Sequence, residues 1–271
     1  MPLAVDACLA QHLGDRREQQ DRVATRPHPS RGGVALAVLA DGMGGHTGGT
    51  IAAQQVIHTA RQNLERFSAR SESARLLLES SINEAHTMIK ACRFISEKDP
   101  HSTVVMVLLQ PNKVSWAHCG DSRFYHFRRD TVVFRSTDHS YVGQLVVQGK
   151  ITPEQALTHP NRNILLTSLG GVDPPKVAFG ESEGLQAGDT FLICSDGLWG
   201  YFTDTELAWA VNGAACAREA SELLIGRARA LAKGDGDNIS LAILKLVDGQ
   251  PVEKASPAAS RSELLASESA K

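Results

Sequence analysis

The stretch VALAVLADGMGGHTGG, residues 34–49, shows the pattern on which this chain is built. The apolar run from Val34 to Ala40 predicts a buried strand, and Asp41 follows at its end. Glycine then recurs up to Gly49, and glycine lets the backbone approach another group closely. We therefore predict a core strand that delivers a carboxylate to a tight turn before a helix. A merely flexible strand-to-helix turn is the alternative for this segment taken alone.

This glycine-rich turn does not have the spacing of a nucleotide-binding loop. No GxGxxG motif fits it, and the run from Gly44 to Thr50 has the P-loop glycine spacing without the P-loop lysine. A phosphate cradle built from backbone amides is therefore not expected here.

Three more aspartates lie next to apolar runs. Asp121 follows the run 114–118, Asp196 follows 190–194, and Asp237 precedes 239–246. Clustered carboxylates repel one another unless a hard cation neutralises them. Oxygen ligands suit Mg²⁺, Mn²⁺ or Ca²⁺ rather than zinc, and the spacing after Asp237 does not fit a calcium-binding EF-hand. The pattern favours metal-assisted hydrolysis.

Covalent mechanisms lack their signatures in this sequence. None of the five cysteines has an arginine six positions later, as a cysteine phosphatase would require. Ser195 lacks the first glycine of a GxSxG elbow, since Ile193 stands there. Asp235 and Asp237 precede a strand, whereas an aspartyl-phosphate mechanism would place its pair after one.

The order of predicted elements favours an α+β fold with helices packed outside antiparallel sheets, since regular βαβ alternation is absent. Strands are predicted at 34–40, 103–109, 114–118, 124–128, 131–135, 190–194 and 239–246, and helices at about 49–67, 72–94, 204–211 and 217–232. Thr203 with Glu206 and Thr152 with Gln155 have capping-box spacing. Residues 1–248 are predicted to form one catalytic domain, and 249–271 a disordered tail.

Composition indicates a soluble protein in a reducing compartment. Apolar residues make up 42% of the 271, and the formal net charge of −2 gives no attraction to nucleic acid or anionic lipid. The cysteines are widely spaced and odd in number, so a disulfide framework is not expected. Neither a signal peptide nor a membrane-spanning apolar run is present, and we predict a cytoplasmic protein.

In their order along the chain, these segments resemble the metal-dependent protein phosphatases of type 2C, particularly the compact bacterial ones. The resemblance runs from about residue 11 to 247. The segments that carry it are Arg16–Asp21, Asp41–His46, Ser102–Val104, Gly120–Arg123, Asp138–Ser140, His159–Asn163, Ser195–Gly197 and Asp237–Asn238. It implies a four-layer α/β/β/α sandwich of two antiparallel sheets flanked by helices.

The resemblance also implies the catalytic roles. Asp41 would bridge two Mn²⁺ or Mg²⁺ ions and Arg16 would hold the substrate phosphate, with a metal-bridging hydroxide attacking in line. The other implied ligands are the Gly42 carbonyl on the second ion, Asp196 and Asp237 on the first, Asp121 with Asp196 on a third, and Asp21 through water. Phosphoserine and phosphothreonine on proteins would be the substrates, including a serine/threonine kinase and its targets, and we expect a monomer.

Two departures from the family pattern bear on the metal site. Gln20 and Thr50 stand where members often have acidic residues, so Gln20 predicts weaker metal binding. The alternatives are a catalytically silent relative that binds phosphoproteins, a phosphatase dedicated to one partner protein, and a small-molecule phosphatase. The retained Asp41, Asp196 and Asp237 argue against the silent relative.

Overall fold

A computed structural model describes residues 3–44, 47–68, 70–92 and 99–249. Its strands are β1 (Leu3–His12), β2 (Arg22–Pro27), β3 (Ala35–Ala40), β4 (Gly42–Met43), β5 (His101–Ser102), β6 (Val104–Gln110), β7 (Lys113–Cys119), β8 (Arg123–Arg128), β9 (Thr131–Arg135), β10 (Ala178–Glu183), β11 (Asp189–Cys194) and β12 (Ile239–Asp248). Its helices are α1 (Thr47–Arg66), α2 (Ala74–Cys92), α3 (Tyr141–Val147), α4 (Pro153–Leu157), α5 (Asp196–Trp199), α6 (Asp204–Gly213) and α7 (Ala217–Ala232).

Two five-stranded antiparallel sheets form the centre of the molecule. One has the strand order β1-β12-β11-β8-β9 and the other β10-β7-β6-β3-β2, while β4 and β5 form a separate small ribbon. Helices α1 and α2 pack on the outer face of the second sheet, and α6 and α7 on the outer face of the first. The predicted α+β sandwich of four layers, helix, sheet, sheet and helix, is confirmed.

Strand β3 shows why continuous apolar runs occur in this sequence. Leu36 and Val38 face α1 and α2, whereas Ala37 and Leu39 face the core between the two sheets. Because side chains alternate across a strand, a strand covered on both faces must be apolar at every position. The same alternation places successive residues of β12 in the two cores.

The predicted elements agree with the structure to within a few residues, and both capping boxes form. Five strands were not delimited from the sequence: the two-residue strands β4 and β5, and the longer strands β1, β2 and β10. The three longer ones lie at the outer edges of their sheets and contain only half-buried and exposed positions, so they lack a buried apolar run. The predicted tail lies outside the described residues from position 250 onward, and the domain boundary stays a prediction.

No helix among the described residues is long and apolar enough to cross a membrane. Cys8, Cys119, Cys194 and Cys216 are free thiols. Cys119 and Cys194 are buried at strand ends, where burial raises the pKa of the Cys119 thiol to about 11.

Candidate active site

The predicted ligand residues come from both sheets and meet at one end of the sandwich. Asp41 follows β3, Asp196 follows β11, and Asp237 precedes β12. Asp121 lies in the short connection from β7 to β8, where the chain passes from one sheet to the other. Asp21 directly precedes β2. Strand ends therefore carry these carboxylates to the seam between the sheets.

Hydrogen bonds fix the main chain around Asp41. Its amide donates to the Thr103 hydroxyl at 3.1 Å, and its carbonyl accepts from the Thr103 amide at 2.8 Å. The Thr103 hydroxyl also lies 2.8 Å from that of Ser122, next to Asp121. Thr103, in the segment Ser102–Val104, thus links Asp41 to the residue next to Asp121.

The glycines after Asp41 allow the backbone at Gly42 to lie close to the backbone at Gly49. A Cβ on Gly42 would overlap the carbonyl oxygen of Gly49 in the first turns of α1, and the converse holds for Gly49. The prediction that this turn needs close backbone approach is therefore correct, and the partner is the chain's own helix. Gly45 and His46 lie outside the described residues.

Asp21 is buried, and Ser195 binds its carboxylate. The Ser195 hydroxyl donates to Oδ2 of Asp21 at 2.8 Å, and the Ser240 amide donates to that hydroxyl at 3.0 Å. Burial, followed by repulsion from Asp196, raises the pKa of Asp21 to about 7 although the Ser195 hydrogen bond opposes the shift. Asp21, which was predicted to bind metal through water, is therefore more deeply buried than Arg16 and Asp237.

The other carboxylates share this electrostatic setting. Burial raises the pKa of Asp196 to about 6, with Asp237 as the next cause. Burial and neighbouring carboxylates raise the pKa values of Asp41 and Asp121 well above their ordinary range. A cation among these side chains would reverse the effect, because it stabilises the ionised form of each.

These carboxylates influence one another electrostatically, but their side chains do not form a compact cluster of metal ligands. No group of three or more His, Cys, Asp or Glu side chains in the described ranges is arranged to hold a metal ion. The donor set itself is all oxygen, which fits Mg²⁺ or Mn²⁺.

Arg16 lies at the exposed side of the site and contacts a candidate metal ligand. Its Nη2 donates to Oδ2 of Asp237 at 2.6 Å, with side chains 60% and 40% exposed. The loop of Arg16 is tied down by Asp15, which accepts two hydrogen bonds of 2.7 Å from Arg229 and one from the Gly236 amide. The sequence interpretation missed this anchor, because Asp15 and Arg229 are far apart in the chain.

A second network supports Asp121. Arg123 forms a bidentate ion pair with Asp138, both bonds at 2.8 Å, and its guanidinium lies 3.5 Å from the ring of Trp199. The Trp199 indole donates to the carbonyl of Asp121 at 3.0 Å. Arg123 therefore makes a local structural pair with Asp138, and Trp199 is a member of the network that the sequence interpretation did not identify.

Comparison with known proteins identifies the family. The family model described as Protein phosphatase 2C matches residues 10–225, about four fifths of the chain. The chain belongs to the protein phosphatase 2C family. Its enzyme class is that of the serine/threonine protein phosphatases, as the resemblance implied.

Individual relatives of this phosphatase agree in sequence and fold. A putative protein phosphatase 2C-type of Streptococcus pyogenes is 30% identical over 238 residues, covering 87% of this chain and 95% of that protein. The serine/threonine phosphatase of S. agalactiae superposes with a TM-score of 0.81 at 28% identity, covering 90% of this chain and all of that one. The catalytic domain of the phosphatase PstP, solved with two manganese ions, has a TM-score of 0.75 at 27% identity, covering 91% and 100%.

Proposed function

We propose that this phosphatase hydrolyses phosphoserine and phosphothreonine monoesters on proteins, without a covalent intermediate, and requires Mn²⁺ or Mg²⁺. The observation that carries the proposal is the placement of electrostatically interacting carboxylates at one end of the sandwich, beside Arg16; they are Asp21, Asp41, Asp121, Asp196 and Asp237. The PstP catalytic domain, which was solved with two manganese ions, supports the proposed metal requirement.

In this proposal the protein's groups divide into ligands and a phosphate clamp. Asp41 and the Gly42 carbonyl, with Asp196 and Asp237, would hold two ions, and Asp121 with Asp196 a third. Bound metal lowers the pKa of water and offsets charge on the phosphoryl oxygens. Asp21 would orient water at the inner side of the site, held there by the Ser195 hydroxyl.

Arg16 would bind the phosphoryl group of the substrate. A guanidinium presents two parallel N–H donors that match two phosphate oxygens. The contact with Asp237 keeps this guanidinium at the mouth of the site, and Asp15 keeps the loop beside residues 235–237. The half-exposed position of Arg16 suits a group that must meet a side chain of another protein.

Phosphate release from matched phosphothreonine and phosphotyrosine peptides tests the proposal. It is measured with Mn²⁺, with Mg²⁺ and with EDTA, for the wild type and for Asp41→Asn and Asp237→Asn. Asp235→Asn is the matched control, since Asp235 is exposed in the same loop and has no proposed ligand role.

We expect metal-dependent release from phosphothreonine that both ligand variants lose and the control keeps. Absence of release by folded wild-type protein under every metal condition would instead support the silent phosphoprotein-binding relative. We further propose a cytoplasmic monomer that acts on a kinase and its targets.

A further inference from the structure

A groove of about 330 Å³ lies beside the candidate active site, between β2 and the middle of α1. It is lined by Arg22, Val23, Arg26, Gln54, Ile57, His58 and Arg61. Three of these seven side chains are arginines, and none is a carboxylate. The groove is therefore a concentrated positive patch on a chain whose net charge is −2.

Little negative charge offsets the arginines. Nε of Arg61 lies 3.6 Å from Glu65, but both side chains are about half exposed, and such exposed pairs are weak. Nη1 of Arg22 donates to the main-chain carbonyls of Gln19 and Asp21, both at 2.7 Å. These carbonyls hold the Arg22 guanidinium in place and leave its full positive charge in the groove.

The groove begins where the candidate active site ends. Arg22 directly follows Asp21, and β2 runs away from the site along the edge of its sheet. Arg26 is four residues further on, a distance of roughly 13 Å along an extended strand. Between the arginines the floor is aliphatic, since Val23 and Ile57 are partly buried against the two cores. An extended segment leaving the active site could therefore lie along this groove.

We propose that the groove binds a second phosphorylated side chain of the same substrate segment. This inference rests on the proposed function and adds a substrate preference to it. Guanidinium groups bind phosphate through paired, charge-assisted hydrogen bonds. The separation from the active site corresponds to roughly three to seven residues of extended chain between the two phosphates.

The test uses peptides with one phosphothreonine and, at a series of spacings on either side, a non-hydrolysable phosphonate. Matched peptides carry alanine at the phosphonate position. Phosphate release then reports only the phosphothreonine. Arg26→Ala/Arg61→Ala removes the groove charge, whereas Arg22 is left intact because it supports the loop of Asp21. Arg218→Ala/Arg227→Ala changes the net charge equally on exposed positions of α7.

For the wild type and the α7 control, we expect the phosphonate to raise kcat/KM on the order of fivefold at the best spacing, mainly through KM. The groove variant should lose that preference and keep its activity on the alanine peptides. Equal rates for both peptides at every spacing would overturn the proposal, and so would an equal loss in the α7 control.

A wild type that hydrolyses neither peptide would refute the proposed function rather than the groove. In that case the affinity of the labelled phosphonate peptide, measured by fluorescence anisotropy, decides the matter. Weaker binding by the groove variant alone would support the groove, and equal binding by all three proteins would overturn it.

Discussion

Arg16 and Asp237 are 221 positions apart in the chain, yet Nη2 of the arginine lies 2.6 Å from Oδ2 of the aspartate. One is the proposed phosphate clamp and the other a proposed metal ligand. Their contact joins the loop after β1 to the loop before β12, and this juxtaposition leads to the first two predictions.

Replacing Arg16 by lysine should lower kcat/KM on a phosphothreonine peptide by about tenfold or more, because an ammonium group cannot make the paired hydrogen bonds of a guanidinium. Steady-state kinetics in saturating Mn²⁺ measure this change. Arg17→Lys, on the exposed neighbouring residue, is the control. Near-normal turnover of Arg16→Lys would remove Arg16 from the phosphate site.

Asp15→Asn should weaken the anchor of the Arg16 loop without touching a proposed ligand. The Arg229 hydrogen bonds lower the pKa of Asp15 to about 2, so its carboxylate is fully ionised near neutral pH. We expect KM for the peptide to rise several-fold, with less effect on kcat, since the clamp would be less ordered. An unchanged KM, with the protein folded by circular dichroism, would show that the loop needs no anchor.

Gln20→Glu should tighten Mn²⁺ binding by adding a carboxylate next to Asp21. The main-chain N–H of Gln20 donates to Oδ1 of Asn238 at 2.7 Å, which places the residue beside the loop of Asp237. Calorimetric titration with Mn²⁺ measures the affinity, and Glu18→Gln, at an exposed position nearby, serves as the control. The same Mn²⁺ affinity in wild type and Gln20→Glu would show that position 20 does not influence the metals.

Gly42→Ala should destabilise the fold, since its Cβ would overlap the main-chain carbonyl of Gly49 and backbone cannot move aside as a side chain can. We expect a loss of about 1–3 kcal/mol or more in the free energy of unfolding. Gly213→Ala is the matched control, because nothing lies near the Cβ it would add. Urea denaturation compares the two, and equal stability would mean that α1 can shift away.

His139 should make stability fall on acidification. Burial, and then the nearby ring of His118, lowers the pKa of His139 to about 4. The unfolded chain, with an ordinary pKa of about 6.5, therefore takes up a proton first as the pH falls. This contribution to stability is complete above about pH 6.5 and is lost progressively toward about pH 4.

Urea denaturation at about pH 7.5 and about pH 5 measures the effect of His139. His139→Asn should show a smaller loss on acidification than the wild type, whereas the exposed His58→Asn should lose as much as the wild type. Parallel losses in all three proteins would exclude His139 as the source.

Local sequence was sufficient to predict the strands and helices whose residues experience the same kind of burial along the element. Strands such as β3 and β12 are covered on both faces, so burial imposed the apolar runs that predicted them. Helix α7 was predicted with its observed bounds, and Thr203 with Glu206 was predicted as a cap, because capping chemistry acts between residues three apart. The sequence also predicted that aspartates lie at strand ends, since this prediction depends only on where the strands begin and end.

Only the tertiary structure decided which of these groups meet. Edge strands β1, β2 and β10 are half exposed, and their pairing depends on neighbours remote in sequence. Three further features likewise join distant segments: the ion pair of Asp15 with Arg229, the hydrogen bond from Trp199 to Asp121, and the basic groove between β2 and α1. Periodicity records whether a residue is buried, whereas the identity of its partner is set by how the two sheets and their helices pack.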